Sequence, residues 1–153
     1  MSAQLKEVPQ LRPMRSADLD AVMRIEGKIY SHPWTRGNFQ DSLSAGYSCW
    51  ICELAEHIIG YAVMMVAAEE AHLLNLSVAA EWQRLGWGKK FMKHLVGVAR
   101  YYHAKALLLE VRPSNAAGLK LYQSYGFRQI ALRCGYYPAS NGREDAVLLE
   151  FKL

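Results

Sequence analysis

Three side chains and one turn carry the chemistry that is legible in this chain of 153 residues. Glu110 sits near the end of a largely apolar run, Ala-Lys-Ala-Leu-Leu-Leu-Glu-Val, at 104–111. Apolar surroundings disfavour the charged form of a carboxylate, which suits it to take the proton an ammonium ion must lose before its nitrogen can attack. The same residue could instead close its strand in a surface ion pair with Arg112. Further along stands Tyr122, whose phenol could hand a proton to a leaving thiolate. A tyrosine flanked by leucines on a helix is equally at home in a core. Asn115, at a helix start, could bond a cofactor or only its own backbone.

The turn is Gln83-Arg84-Leu85-Gly86-Trp87-Gly88-Lys89-Lys90. Backbone approaches a ligand closely where there is no Cβ, and the first N–H groups of a helix lack intrahelical partners, so an anion site is expected. Phosphate or pyrophosphate is the natural guest. A mononucleotide P-loop needs glycine at 83 and Ser or Thr at 90, where Gln83 and Lys90 stand. A dinucleotide fingerprint needs a third glycine at 91, where Phe91 stands, although Glu110 lies about where that motif wants its ribose acid. What remains is Gln/Arg-x-x-Gly-x-Gly between a strand and a helix.

These groups need a frame. Residues 9–14 read as a short strand, and Ser16 as the cap of a helix carrying Asp18 and Asp20 in its positive first turn. Leu19, Val22, Met23 and Ile25 keep a helical period until Ser31-His32-Pro33-Trp34 breaks it. Thr35 caps a second helix with Phe39 and Leu43 on its apolar face, and Trp34 either lines a groove or anchors the core. Residues 47–54 and 58–67 read as a hairpin turning at Glu56-His57, and 72–78 as a third, central strand leading into the glycine turn. Phe91, Leu95, Val98 and Tyr102 form one stripe of the helix that follows. A strand over 104–111 then implies a crossover and parallel pairing. Ser114 caps a last helix over 115–125, stopped by Gly126, before a final antiparallel pair at 127–134 and 146–151.

A hydrophobic fraction of 52% with 21% charge suits one soluble domain across 1–153. No apolar run is long enough for a membrane span. Met1-Ser-Ala-Gln-Leu-Lys-Glu lacks the apolar core of a secretory signal, so a cytoplasmic chain is expected. Cys49 and Cys52 fall on opposite faces of a strand, no second pair exists for zinc, and all three cysteines read as reduced packing residues. The net charge of +4 is scattered, which fits an ordinary basic surface and a phosphorylated cofactor better than nucleic acid.

The segment Leu109-Glu110-Val111-Arg112-Pro-Ser-Asn115-Ala-Ala-Gly-Leu-Lys-Leu121-Tyr122-Gln-Ser-Tyr-Gly126-Phe127 resembles the end of a GNAT-superfamily acetyltransferase domain, and the glycine turn resembles that superfamily's coenzyme A loop. With Gly135-Tyr136-Tyr137-Pro138, the tail Gly142-Arg143-Glu144-Asp145-Ala146 and Pro33-Trp34, the chain is most similar to the bacterial ribosomal-protein-alanine N-acetyltransferases. The resemblance implies a mixed α/β fold, an antiparallel meander with flanking helices and a central parallel strand pair splayed at the cofactor site. It implies acetyl-coenzyme A lying along Leu76, Ser77 and Val78, its pyrophosphate on Arg84, Leu85, Gly86, Trp87, Gly88 and Lys89, with Asn115 on the other side. Trp87 departs from the pattern, since its slot often holds a smaller residue. Glu110 would be the base and Tyr122 the acid, with the Val78 N–H facing the oxyanion, in direct transfer to the N-terminal alanine of a small-subunit ribosomal protein, the eighteenth.

No metal, no membrane and no nucleic acid is expected as a partner, and a monomer or weak dimer is. Two other readings stay open: an acetyltransferase of a small amine, and a non-catalytic acyl-coenzyme A or nucleic-acid binding module.

Overall fold

The computed structural model describes residues 8–153; the opening residues read above for a secretory signal lie outside them. Seven strands, β1 (Gln10–Pro13), β2 (Ser48–Leu54), β3 (His57–Ala67), β4 (Glu70–Val78), β5 (Ala106–Val111), β6 (Arg128–Ala139) and β7 (Gly142–Lys152), form one sheet in the order β1-β2-β3-β4-β5-β7-β6. Every neighbouring pair is antiparallel except β4 with β5. Helices α1 (Leu19–Ile29), α2 (Arg36–Ser44), α3 (Trp87–Tyr101) and α4 (Ala116–Tyr125) supply the flanks. This is the mixed architecture expected. No helix among the described residues is long and apolar enough to cross a membrane.

The sheet separates two cores. On one face α3 sets Phe91, Met92 and Leu95 against Ala62, Leu73, Leu107 and Leu149. Each such side chain, removed from water, contributes roughly 1.5–3 kcal/mol. On the other, Leu19 and Val22 of α1 and Phe39 of α2 cover Ile51, Tyr61 and Val63. Cys49 belongs to the second core and Cys52 to the first, as the strand's two-residue period requires. Burial pushes both thiols up to about 11. Cys134, expected to pack with them, is exposed on β6.

Several local expectations shift. Ser16 does not cap α1; a 3-10 turn over Ser16–Asp18 precedes it, and Asp18 accepts from the Arg15 N–H at 2.8 Å and from the Arg12 guanidinium at 2.8 and 2.9 Å. Thr35 does cap α2, accepting from the Asn38 N–H. The β2–β3 turn is Ala55-Glu56, both with positive φ of 51° and 66°, so His57 already opens β3. A two-residue turn of that hand matches the strand twist. The buried stripe of α3 is Phe91, Met92, Leu95, Val96 and Ala99, while Val98 is half-buried and Tyr102 exposed. Asn115, and not Ser114, caps α4. The last two strands run well beyond the expected segments, because Gly142, at φ 126°, lets them close in a tight hairpin.

Candidate active site

The site begins where β4 and β5 part. They pair in parallel from Glu70 with Ala106 to Leu73 with Leu109, and no further. At the same point β4 carries one extra residue: Met64 of β3 faces Leu73 and Val63 faces Asn75, leaving Leu74 unmatched. This bulge changes which side chains face which way. Before it, Ala71 and Leu73 enter the α3 core; after it, Leu76 does so and the buried Asn75 and Ser77 turn to the α1 side. Past the bulge, residues 74–78 of β4 have no strand partner on the β5 side among the described residues.

A cleft of about 830 Å³ occupies the gap. Its floor includes Leu76 and Glu110, one wall is the segment from Tyr30 to Trp34 after α1, and the other is Tyr137-Pro138 of β6. Tyr122 lines it from α4. The structure thus brings Glu110, Tyr122 and Asn115 around one space, and sets the backbone of Leu76 beside them. Ser77 turns its hydroxyl to Tyr30 and Asn75 and its carbonyl to β3, so the backbone groups on that edge belong to its neighbours Leu76 and Val78. Val78 lies beyond, its carbonyl accepting from Gln83 Nε2 at 2.8 Å, which ties the start of the glycine turn to the end of β4.

Glu110 is not isolated as its apolar strand suggested. The Arg133 guanidinium, reaching from β6, lies 3.5 Å from its Oε1. One strand, β7, lies between β5 and β6 in the sheet order, so the sequence of β5 alone could not reveal the neighbour. Nor is Arg112 its partner. Arg112 bonds the Pro138 carbonyl at 2.7 Å and Glu144 at 3.3 Å, and stands 4.4 Å from the centre of the Tyr137 ring. Ser114 donates to Glu144 through both its N–H and its hydroxyl. These bonds pin the β6–β7 hairpin to the start of α4.

Tyr122 is buried on the inner side of α4, in edge contact with Phe127. Burial, reinforced by the nearby Tyr30 and Tyr137 phenols, lifts its pKa well above the ordinary tyrosine value. Tyr137 is pushed up to about 12, mainly by burial and then by the Glu110 carboxylate. Asn115 spends its Oδ1 on the Gly118 N–H at 2.9 Å, so the backbone alternative for that oxygen is the one observed.

In the glycine turn Arg84 and Gly86 have φ of 64° and 85°, and α3 makes its first backbone bond only from the Lys90 N–H to the Gly86 carbonyl. The N–H groups of residues 87, 88 and 89 therefore have no backbone acceptor among the described residues. Arg84 and Lys89 are exposed beside them. An open helix end with two cations is a ready anion site. Trp87 packs inward against the α3 core, and the Lys90 ammonium lies 4.9 Å from its ring.

Sequence reasoning missed a buried polar network under the cleft. Glu26, 1% exposed, accepts from Tyr61 at 2.7 Å, Asn75 at 3.2 Å and the Trp34 N–H at 2.9 Å. The signal was available: Glu26 falls four residues after Val22, on the apolar stripe of α1.

A parted parallel pair in a mixed sheet, followed by a bare helix end, is the frame of an acyl-coenzyme A-dependent transferase. Residues 19–127 match the model of the Acetyltransferase (GNAT) family, and the chain belongs to that family. It is 33% identical over 136 residues to the ribosomal protein bS18-alanine N-acetyltransferase of Escherichia coli (strain K12), covering 89% of this chain and 92% of the relative. The enzyme of the same name from Haemophilus ducreyi is 34% identical over 137 residues, covering 89% and 94%. The crystal structure of the Escherichia coli ribosomal-protein-S18-alanine N-acetyltransferase superposes with a TM-score of 0.88 at 31% identity, covering 95% of this chain and 94% of that one. The chain is accordingly an acetyl-coenzyme A-dependent N-acetyltransferase.

Proposed function

We propose that this enzyme acetylates the N-terminal alanine amine of small-subunit ribosomal protein bS18, with Glu110 as general base and Tyr122 as general acid. One observation carries the assignment: a carboxylate from β5 and a buried phenol from α4 line the same cleft, beside the unpaired edge of β4. The relatives named for that substrate support the choice of amine.

The residues present fit acetyl-coenzyme A. Backbone at Leu76 and Val78, either side of Ser77, would pair with the pantetheine amides, and the bare amides from residue 84 to 89, with Arg84 and Lys89, would hold the pyrophosphate. Asn115 would approach from α4 through its free amide nitrogen. When bound, the coenzyme supplies an acyl carbon already activated as a thioester.

Glu110 takes a proton from the α-ammonium, freeing the nitrogen lone pair to form the new C–N bond. The Val78 N–H faces the carbonyl oxygen as it gains negative charge. As the C–S bond breaks, Tyr122 gives its proton to the sulfur, the nitrogen gives up its second proton to solvent to leave the neutral amide, and the phenolate recovers a proton from solvent. Burial disfavours the phenolate, which favours a proton on Tyr122 before the transfer. The two walls of the cleft, at Tyr30 and Tyr137, would hold the acceptor's first residues between them.

The deciding experiment is mass spectrometry of ribosomal proteins from cells lacking this chain, paired with purified enzyme and a peptide beginning with alanine. Loss of one N-terminal acetyl group in the cells and its restoration in vitro is the expected result. Acetylation of free polyamines or amino acids with none of the peptide would overturn the proposal.

A further inference from the structure

We infer that Glu26 is a positioning residue that sets where the acceptor wall of the cleft stands, an inference that rests on the peptide-acceptor reading above. Glu26 takes no part in proton transfer as proposed, yet it is one of the few buried charged groups and it lies under the cleft. Its three donors come from three different places: Tyr61 from β3, Asn75 from β4 just past the bulge, and the N–H of Trp34 from the segment joining α1 to α2. One carboxylate therefore ties the cleft's floor to its wall.

The chain of bonds has a direction. Ser77 donates its only proton to Asn75 Oδ1 at 2.6 Å, so Tyr30, 2.7 Å from the same serine oxygen, must be the donor to it. Asn75 then presents its amide nitrogen to Glu26. Protons run from Tyr30 through Ser77 and Asn75 to Glu26, so the line starts on the residue that closes α1 and ends on α1 itself. Tyr30 flanks the cleft at one end of the wall, and Trp34, whose ring packs 5.0 Å from that of Phe39, holds the other. Buried networks of this kind fix geometry more than they add stability, since each group must be satisfied by the particular partner present.

The two oxygens of Glu26 do different work. Oε1 accepts from both Tyr61 and Asn75, while Oε2, among the described residues, accepts only from the Trp34 N–H. Glu26→Gln keeps the same shape. Its amide oxygen goes to the side with two donors, which leaves its NH₂ facing the Trp34 N–H, donor against donor. The substitution selectively releases the wall and spares the sheet.

Steady-state kinetics and amide exchange test this. For Glu26→Gln the peptide KM should rise about ten-fold, the effect of one lost bond to a charged group, with kcat and the acetyl-coenzyme A KM within about two-fold. The Trp34 amide should exchange faster by a similar factor. An unchanged peptide KM, or a rise shared equally by both substrates, overturns the inference and leaves Glu26 as a stability residue only. Should the variant fail to fold, the wild-type Trp34 amide still decides, because it must exchange more slowly than that of His32 in the same segment. Neither exchange result depends on which amine is acetylated, so failure of the substrate assignment would be seen separately.

Discussion

Gly88 in the first turn of α3 lies so near Leu121 of α4 that a methyl group on the glycine would stand 3.0 Å from Leu121 Cδ2. Helices α3 and α4 thus meet over a missing Cβ. Gly88→Ala should press α4 outward by a few tenths of an ångström and cost about 1–3 kcal/mol as an overpacked contact. The acetyl-coenzyme A KM should rise several-fold, and Leu121→Ala placed in the same chain should recover it. Thermal melts and cofactor titrations read both effects.

Tyr122→Phe removes the proposed acid and leaves the ring in place. Turnover should fall by about 10²–10⁴-fold with unchanged cofactor affinity. Glu110→Gln should lower kcat/KM by a factor in the same range. Single-turnover measurements at saturating acetyl-coenzyme A separate these losses from binding, and unaltered turnover in Tyr122→Phe would remove that residue from the mechanism.

Asp18 gives stability a pH dependence of known sign. The Arg12 hydrogen bond, and then the Arg15 N–H, hold its carboxyl below the usual range in the folded chain. Such a group stabilises the fold above the unfolded pKa of about 3.9 and loses that contribution as pH falls through the lower folded value. Asp18→Asn should therefore be less stable than wild type near neutrality by about 1–3 kcal/mol, and the gap should close on acidification below about pH 4. Denaturant titrations across that range check it.

Alkylation should distinguish the cysteines. Cys134 is exposed, whereas Cys49 and Cys52 are buried with thiols raised to about 11. Iodoacetamide should modify one cysteine in the native enzyme and all three after unfolding. Retention of activity by the singly modified enzyme is expected, since no cysteine takes part in the transfer proposed.

The sheet, the crossover and the glycine turn were legible because they rest on local signals: periodicity, a helix opened by glycines, and a threonine cap at Thr35. Glu110 stood out as a lone carboxylate in an apolar strand, whereas Tyr122 reads locally as a core residue and takes its proposed role from the family resemblance. What the chain concealed depends on residues distant in sequence. Arg133 reaches Glu110 only because β7 and β6 fold back beside β5. Ser16 and Ser114 look like caps, but Asp18 has a stronger partner in Arg12, and Ser114 in Glu144, 30 residues on. The extra residue in β4 is invisible without β3, since a strand read alone has nothing to count against.

That extra residue makes Leu74 a phase shift in the strand. Pairing it in register with Val63, without the bulge, would send Asn75 and Ser77 toward the greasy side under α3 and offer Glu26 a leucine in place of an amide. Inserting one codon between Asn75 and Leu76, with the ladder kept in register, would turn Leu76 to the α1 side and Ser77 to the α3 side. The hairpin tip at Ser140 and Asn141, outside every strand and helix, could absorb the same edit as a longer loop.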